Sequence, residues 1–320
     1  MYGIESALVQ MMDMMVSTKH SAMDDFFRLN GPSIVLCKLQ SEAECMHQLR
    51  GDNFQRQIIP SSVESRIFSL TAITGSFLTY NSGSNFIFEQ MDAFKNCVKS
   101  LCSMCALSSI PILTKLMNII GELVEEDPTS INILNSLYEH NIIRDIWLAI
   151  NELVVSVDGE FMLSYLDLLN SISFSSETAK FLKSFNPFNI IFGIYEFGNS
   201  SSHLSYRQAE IQKQRTFVGS TLYQMNGNRE LGHRIGVILD TSNQLSISCA
   251  ESSIHALETI IDLFRDVADG KSILFSKKIC GVASGQEVRI IQIATAYLMC
   301  INNIVNGNKL FLEEFVSRSG

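Results

Sequence analysis

Proline is scarce in this chain, five residues in 320, and so few rigid breaks suit long helices better than many short strands. Charge is also sparse: 18% of residues are charged against 46% hydrophobic, which excludes an intrinsically disordered chain. Clusters of basic residues are missing. With 24 basic and 33 acidic residues the net charge is −9, so nucleic-acid binding would lack its main electrostatic term. Apolar runs long enough to span a membrane are missing too; the best stretch, Ile110 to Val124, is interrupted by Lys115, Asn118 and Glu122. The apolar start, Tyr2 to Val16, carries Glu5 and Asp13 with no basic residue ahead of it, unlike a signal peptide. These absences point to an intracellular protein, cytoplasmic and/or nuclear. Its eight irregularly spaced cysteines then read as reduced, mostly buried thiols.

What the sequence does contain is helical periodicity. Leu113, Leu116, Ile120 and Leu123 fall on one helix face, as do Ile142, Ile146, Ile150 and Leu153. Ser61-x-x-Glu64 and Ser248-x-x-Glu251 have the capping-box pattern, and Asp127-Pro128 reads as an N-cap followed by a first-turn proline. Breaks are expected at Asn30-Gly31-Pro32, Asn81-Ser82-Gly83, Val157-Asp158-Gly159, Asn226-Gly227 and Asp269-Gly270.

A chain of this length exceeds one compact helical core, so two domains or a repeat array is expected. Similar polar corners between apolar helices begin at Phe27, Phe88, Leu137 and Leu182, with a further copy at Leu274 and an intervening unit around Asn226 to Leu239. Their spacing is close to that of armadillo and HEAT repeats. The expected fold is all-α: one right-handed α-solenoid of armadillo/HEAT-like repeats over residues 1–320, a segment of a longer array. Insertion loops are expected at 50–62 and 198–205. Such units stack because one helix pair cannot bury its apolar face alone, and the array leaves an extended surface for partners.

Signatures of chemistry are weak. Cys97-x4-Cys102-x2-Cys105 has the spacing of a plant-type iron–sulfur motif, yet it lies in a helical pattern with Val98 and Leu101, so buried thiols are the better account. The histidines at 20, 47, 140, 203, 233 and 255 are scattered singly, with no helical zinc pair. Gly281 to Gly285 is rich in small residues but reads as a turn, and Glu125-Glu126-Asp127 as a solvated helix end. Met11, Met12, Met14 and Met15 suit a core-facing terminal helix. No catalytic, cofactor-binding or metal-ligating residue is assigned, and no cofactor is expected.

Read as a whole, the order of segments resembles the N-terminal armadillo-type region of the giant HECT ubiquitin ligases, the family of Mule and the plant ubiquitin-protein ligases. Asp24 to Leu39 resembles the family's "D-x-GL-x-x-hxx-RL" helix start. Glu126 to Ile150 is similar to its "EPS…L…L…NGL…hL-x-A" repeat. In the following unit the corner is Ser173 to Glu177, and "PF-x-x-hF" stands as Pro187 to Phe192. Gly219 to Leu239 resembles "GSxhDELMRHHPSLK…hh-x-hh" with most of its charges replaced, and His255 to Cys280 is similar to the helix pair ending in "F-V-x-KGGL".

The resemblance covers roughly Asp24 to Gly281 and implies a noncatalytic solenoid that holds protein substrates or adaptors near a HECT lobe lying elsewhere, whose ubiquitin-accepting cysteine has no counterpart here. A free-standing armadillo-like adaptor and an uncharacterised helical enzyme are the alternatives. Partners are expected to be proteins, not nucleic acid or membrane. Their docking face is expected along second helices such as Ile142 to Val155, with Arg144 and Glu152 as the candidate contact residues.

Overall fold

The computed structural model describes residues 20–49, 61–80, 86, 89–105, 109–125, 130–151, 159–193, 225–242, 245–268 and 285–319. Among them there is no β-strand, so the fold is all-α. No described helix is long and apolar enough to cross a membrane. The chain divides into two compact units, Met1–Val155 and Ser156–Gly320.

The first unit contains α1 (His20–Arg28), α2 (Gly31–Leu49), α3 (Ser61–Leu78), α4 (Met91–Cys105), α5 (Ile110–Glu125), α6 (Ser130–Glu139) and α7 (Ile142–Asn151). They form two rows: α2 packs on α4 and α4 on α7, while α3 packs on α5 and α5 on α6. Cross-packing of α2 on α3, α4 on α5 and α6 on α7 joins the rows. The expected stripe Leu113, Leu116, Ile120 and Leu123 is buried on α5, and Ile142, Ile146 and Ile150 are buried on α7; Leu153 lies outside the described residues.

The second unit contains α8 (Gly159–Ser173), α9 (Ser176–Phe185), α10 (Phe188–Phe192), α11 (Met225–Thr241), α12 (Ser246–Ala268), α13 (Gly285–Gly307) and α14 (Lys309–Ser319). Here too helices pack in rows, α8 on α11 and α11 on α13, α10 on α12 and α12 on α14. Two buried tyrosines tie row to row. Tyr165 on α8 donates to the Pro187 carbonyl at 2.6 Å, and Tyr297 on α13 to the Ser253 carbonyl on α12 at 2.7 Å. Burial pushes both phenols above their ordinary range, which keeps them protonated donors.

The corners share a local device. Asn30, Asn141 and Asn186 have φ of 56°, 63° and 47°, and among the described residues they are the non-glycine residues with positive φ. Asparagine tolerates this left-handed region better than other side chains, so it ends one helix and turns the chain into the next. The backbone N–H groups of Asn30 and Asn141 each donate to the carbonyl three residues back, Phe27 and Tyr138, and their carbonyls accept from Ile34 and Asp145 in the following helix. Aligned on these asparagines, the corner equivalent to Leu137 and Leu182 begins at Phe26, four residues before Asn30, not at the expected Phe27. Asn141→Ala should cost about 1 kcal/mol or more, whereas Asn141→Gly should be nearly neutral, because only alanine has a Cβ that opposes this conformation; denaturant midpoints compare the two.

Other expectations are revised or untouched. Ser248 lies inside α12, not at its start, and its carbonyl accepts from Ser252 at 3.0 Å, while Glu251 pairs with Arg318 at 2.7 Å. That capping-box pattern is therefore not a helix start here. Asn226-Gly227 falls in the first turn of α11, so it is no break, and Ser61 and Ser62, expected in a loop, open α3. Around Ser173 to Glu177 the expected corner is present: α8 ends at Ser173 and the Ser175 hydroxyl caps α9 by accepting from Glu177 N–H at 3.3 Å. The Pro187–Phe192 phrase places Phe188, Ile191 and Phe192 in the core. Phe88, Asp127-Pro128, the loop at 198–205, Leu274 and the methionines at 11, 12, 14 and 15 lie outside the described residues.

Candidate interaction face of the first unit

The face expected to meet partners is carried by α2, α4 and α7. On α7 the apolar positions Ile142, Ile143, Ile146, Trp147, Ala149 and Ile150 are buried, which leaves Asn141, Arg144, Leu148 and Asn151 exposed as one stripe. On α4, Met91, Phe94, Cys97, Val98, Leu101 and Cys102 are buried, and Asp92, Asn96 and Lys99 are exposed with Lys95 half-buried. On α2, Ile34, Cys37, Lys38, Ser41, Glu44 and Cys45 are exposed. Each stripe follows from helical spacing, and the packing of α2 on α4 on α7 sets the stripes side by side.

Side-chain contacts link the stripes. Ser100 on α4 donates to Glu44 on α2 at 3.4 Å, and Gln40 donates to the same carboxylate at 2.7 Å. Between α4 and α7 the link is electrostatic. Burial raises the Asp145 carboxyl above its ordinary value, and Lys99, Arg144 and Lys95 pull it partly back down. Lys95 and Lys99 stand four residues apart on one helix and Arg144 on the helix packed against it, so three cations from two helices act on one half-buried carboxylate. Among the described residues no ion pair uses any of the three.

The other side of α2 is built differently. Arg66 on α3, with 2% of its side chain exposed, donates to Glu42 on α2 at 2.5 Å, and Lys38 reaches the same carboxylate at 3.0 Å. Burial works to raise the Glu42 carboxyl, but the hydrogen bonds from Arg66 and Lys38 outweigh it and hold the group below its ordinary value. A carboxyl lowered by folding contributes stability above its unfolded pKa and loses it as pH falls through the folded one. Glu42→Gln should therefore lower stability by about 1–2 kcal/mol at neutral pH, allowing for solvent on the Lys38 side. The difference from wild type should vanish in acid; urea midpoints across pH test this.

Arg144 thus stands exposed on the expected face, whereas Glu152 lies outside the described residues. The sequence reading missed Lys95 and Lys99. Their i, i+4 spacing was visible, but nothing along the chain says that α4 packs against α7. Cys97 and Cys102 lie on a helix and are buried, and burial, helped by Cys37, pushes the Cys97 thiol up to about 12. A thiol so raised is a poor nucleophile and a poor metal ligand at neutral pH. His140 donates from Nδ1 to the Ser136 carbonyl at 2.8 Å, closing the end of α6, and His233 and His255 are exposed on separate helices. Among the described residues no group of three His, Cys, Asp or Glu side chains converges to hold a metal. No protein-family model and no curated protein matches the chain.

Proposed function

We propose that this chain is a noncatalytic protein-interaction scaffold of armadillo/HEAT-like helical repeats, docking protein partners on the face formed by α2, α4 and α7. The observation that carries the reading is the packing of like helices in rows within each unit, α2 on α4 on α7 in the first and α8 on α11 on α13 in the second. Stacks of this kind share a continuous core and leave one row's outer stripe open along its length, which is how helical-repeat proteins present binding surfaces. The asparagine corners add to it, since a positive-φ asparagine recurs at Asn30, Asn141 and Asn186, with the same backbone hydrogen bonds at the first two. The resemblance to the N-terminal region of the giant HECT ubiquitin ligases gives the scaffold a context: part of a ligase platform that presents substrates or adaptors for ubiquitination.

A photo-crosslinking residue placed at Arg144 tests the scaffold. Crosslinks to a reproducible protein that are lost in a Leu148→Asp background are expected; crosslinks indifferent to Leu148, or none, overturn docking on this face. The ligase context has its own readout. Ubiquitination of the crosslinked protein in cells should fall when Leu148→Asp replaces the wild type, and unchanged ubiquitination leaves the free-standing adaptor in its place.

A further inference from the structure

We infer that the partner segment docking across α4 and α7 is acidic, with carboxylates flanking an apolar side chain. This rests on the scaffold reading and adds the partner's chemistry to it.

The chain as a whole carries net charge −9, yet α4 and α7 together carry three cations, Lys95, Lys99 and Arg144, against two carboxylates, Asp92 and Asp145. Elsewhere in the same unit Arg28 holds Asp25 at 2.8 Å, and Lys38 and Arg66 hold Glu42, while among the described residues the half-buried Lys115 on α5 has no ion pair. The three on α4 and α7 have none either, and all three act on the half-buried Asp145. Lys99 and Arg144 are exposed to a partner, one from each helix. Three cations share the single carboxylate of Asp145, and an incoming carboxylate adds a second counter-charge for Lys99 and Arg144.

The apolar half of the site is Leu148, 37% exposed and four residues after Arg144, hence on the same stripe. A segment that lays a carboxylate between Lys99 and Arg144 brings its neighbouring side chain over Leu148. Rim charges of this kind act mainly on association rate and partner choice, and their effect weakens as salt rises.

The test uses the full chain and three fluorescein-labelled peptides of one amphipathic sequence: glutamates flanking leucines, the same peptide with glutamine for glutamate, and the same with lysine for glutamate. Anisotropy titrations should show the glutamate peptide binding, with the affinity falling steadily from low to high salt. Lys99→Gln/Arg144→Gln should weaken it about tenfold or more, and a circular-dichroism spectrum like that of wild type shows that the helices remain folded. If the glutamine peptide binds as tightly and is lost only with Leu148→Asp, the acidic inference is overturned and the docking face stands. Preference for the lysine peptide likewise overturns the acidic inference alone. Binding of all three peptides indifferent to both sets of variants overturns the inference and the α4/α7 face together.

Discussion

Trp147→Ala should destabilise the first unit by about 3–5 kcal/mol, the usual cost of truncating a fully buried large aromatic. Trp147 is 0% exposed on α7, a helix that packs on α4, α5 and α6. Truncation leaves a void in a fully buried position, and packed helices cannot fully collapse onto it. Urea unfolding followed by far-ultraviolet circular dichroism is the measurement. Trp147→Phe, which leaves a smaller void, should recover most of the loss; equal losses for both variants would show that cavity size is not what matters here. Because the chain has a single tryptophan, wild-type fluorescence reports the first unit alone, and circular dichroism reports both. A fluorescence midpoint distinct from the circular-dichroism midpoint would show the two units unfolding separately.

Gly232→Leu should cost the second unit about 3 kcal/mol, the upper end of what overpacking a core exacts. Gly232 lies where α11 crosses α13, and a Cβ there would run into the Cys300 carbonyl oxygen and within 2.9 Å of the Asn303 Cβ. The obstruction is backbone, which cannot swing aside as a side-chain tip can. Even Gly232→Ala should destabilise, although alanine is the better helix former. Gly236, one turn later on the same helix, has nothing within 4 Å of its would-be Cβ. Gly236→Ala should therefore stabilise by up to about 1 kcal/mol through helix propensity alone. The opposite signs at two glycines of one helix isolate the packing effect, and equal shifts in thermal midpoint at both positions would refute it.

The aromatic cluster at the start of the first unit shows what a sequence conceals. Phe26 and Phe27 on α1 meet Phe77, Tyr80 and Phe86, with ring centroids 5.7–6.5 Å apart in the contacts that join them. Tyr80 also donates to Asp24 at 2.8 Å. The phenylalanines were plain to see, but their partners lie about fifty residues on, and no local pattern pairs them. The same holds for Arg66 and Glu42, each ordinary in its own helix and joined only when α2 lies on α3.

By itself the sequence determined the all-α class, the apolar stripes of α5 and α7, and the corners at Asn30, Asn141 and Asn186. These are local properties: a helix face repeats every three to four residues, and an asparagine carries its tolerance of positive φ wherever it stands. Tertiary structure alone decided which helices share a row, that Lys95, Lys99 and Arg144 from two packed helices act on one carboxylate, Asp145, and that Gly232 must be small. Each of these depends on which segments pack together across long stretches of chain, and periodicity specifies a helix's buried face without naming the helix that covers it.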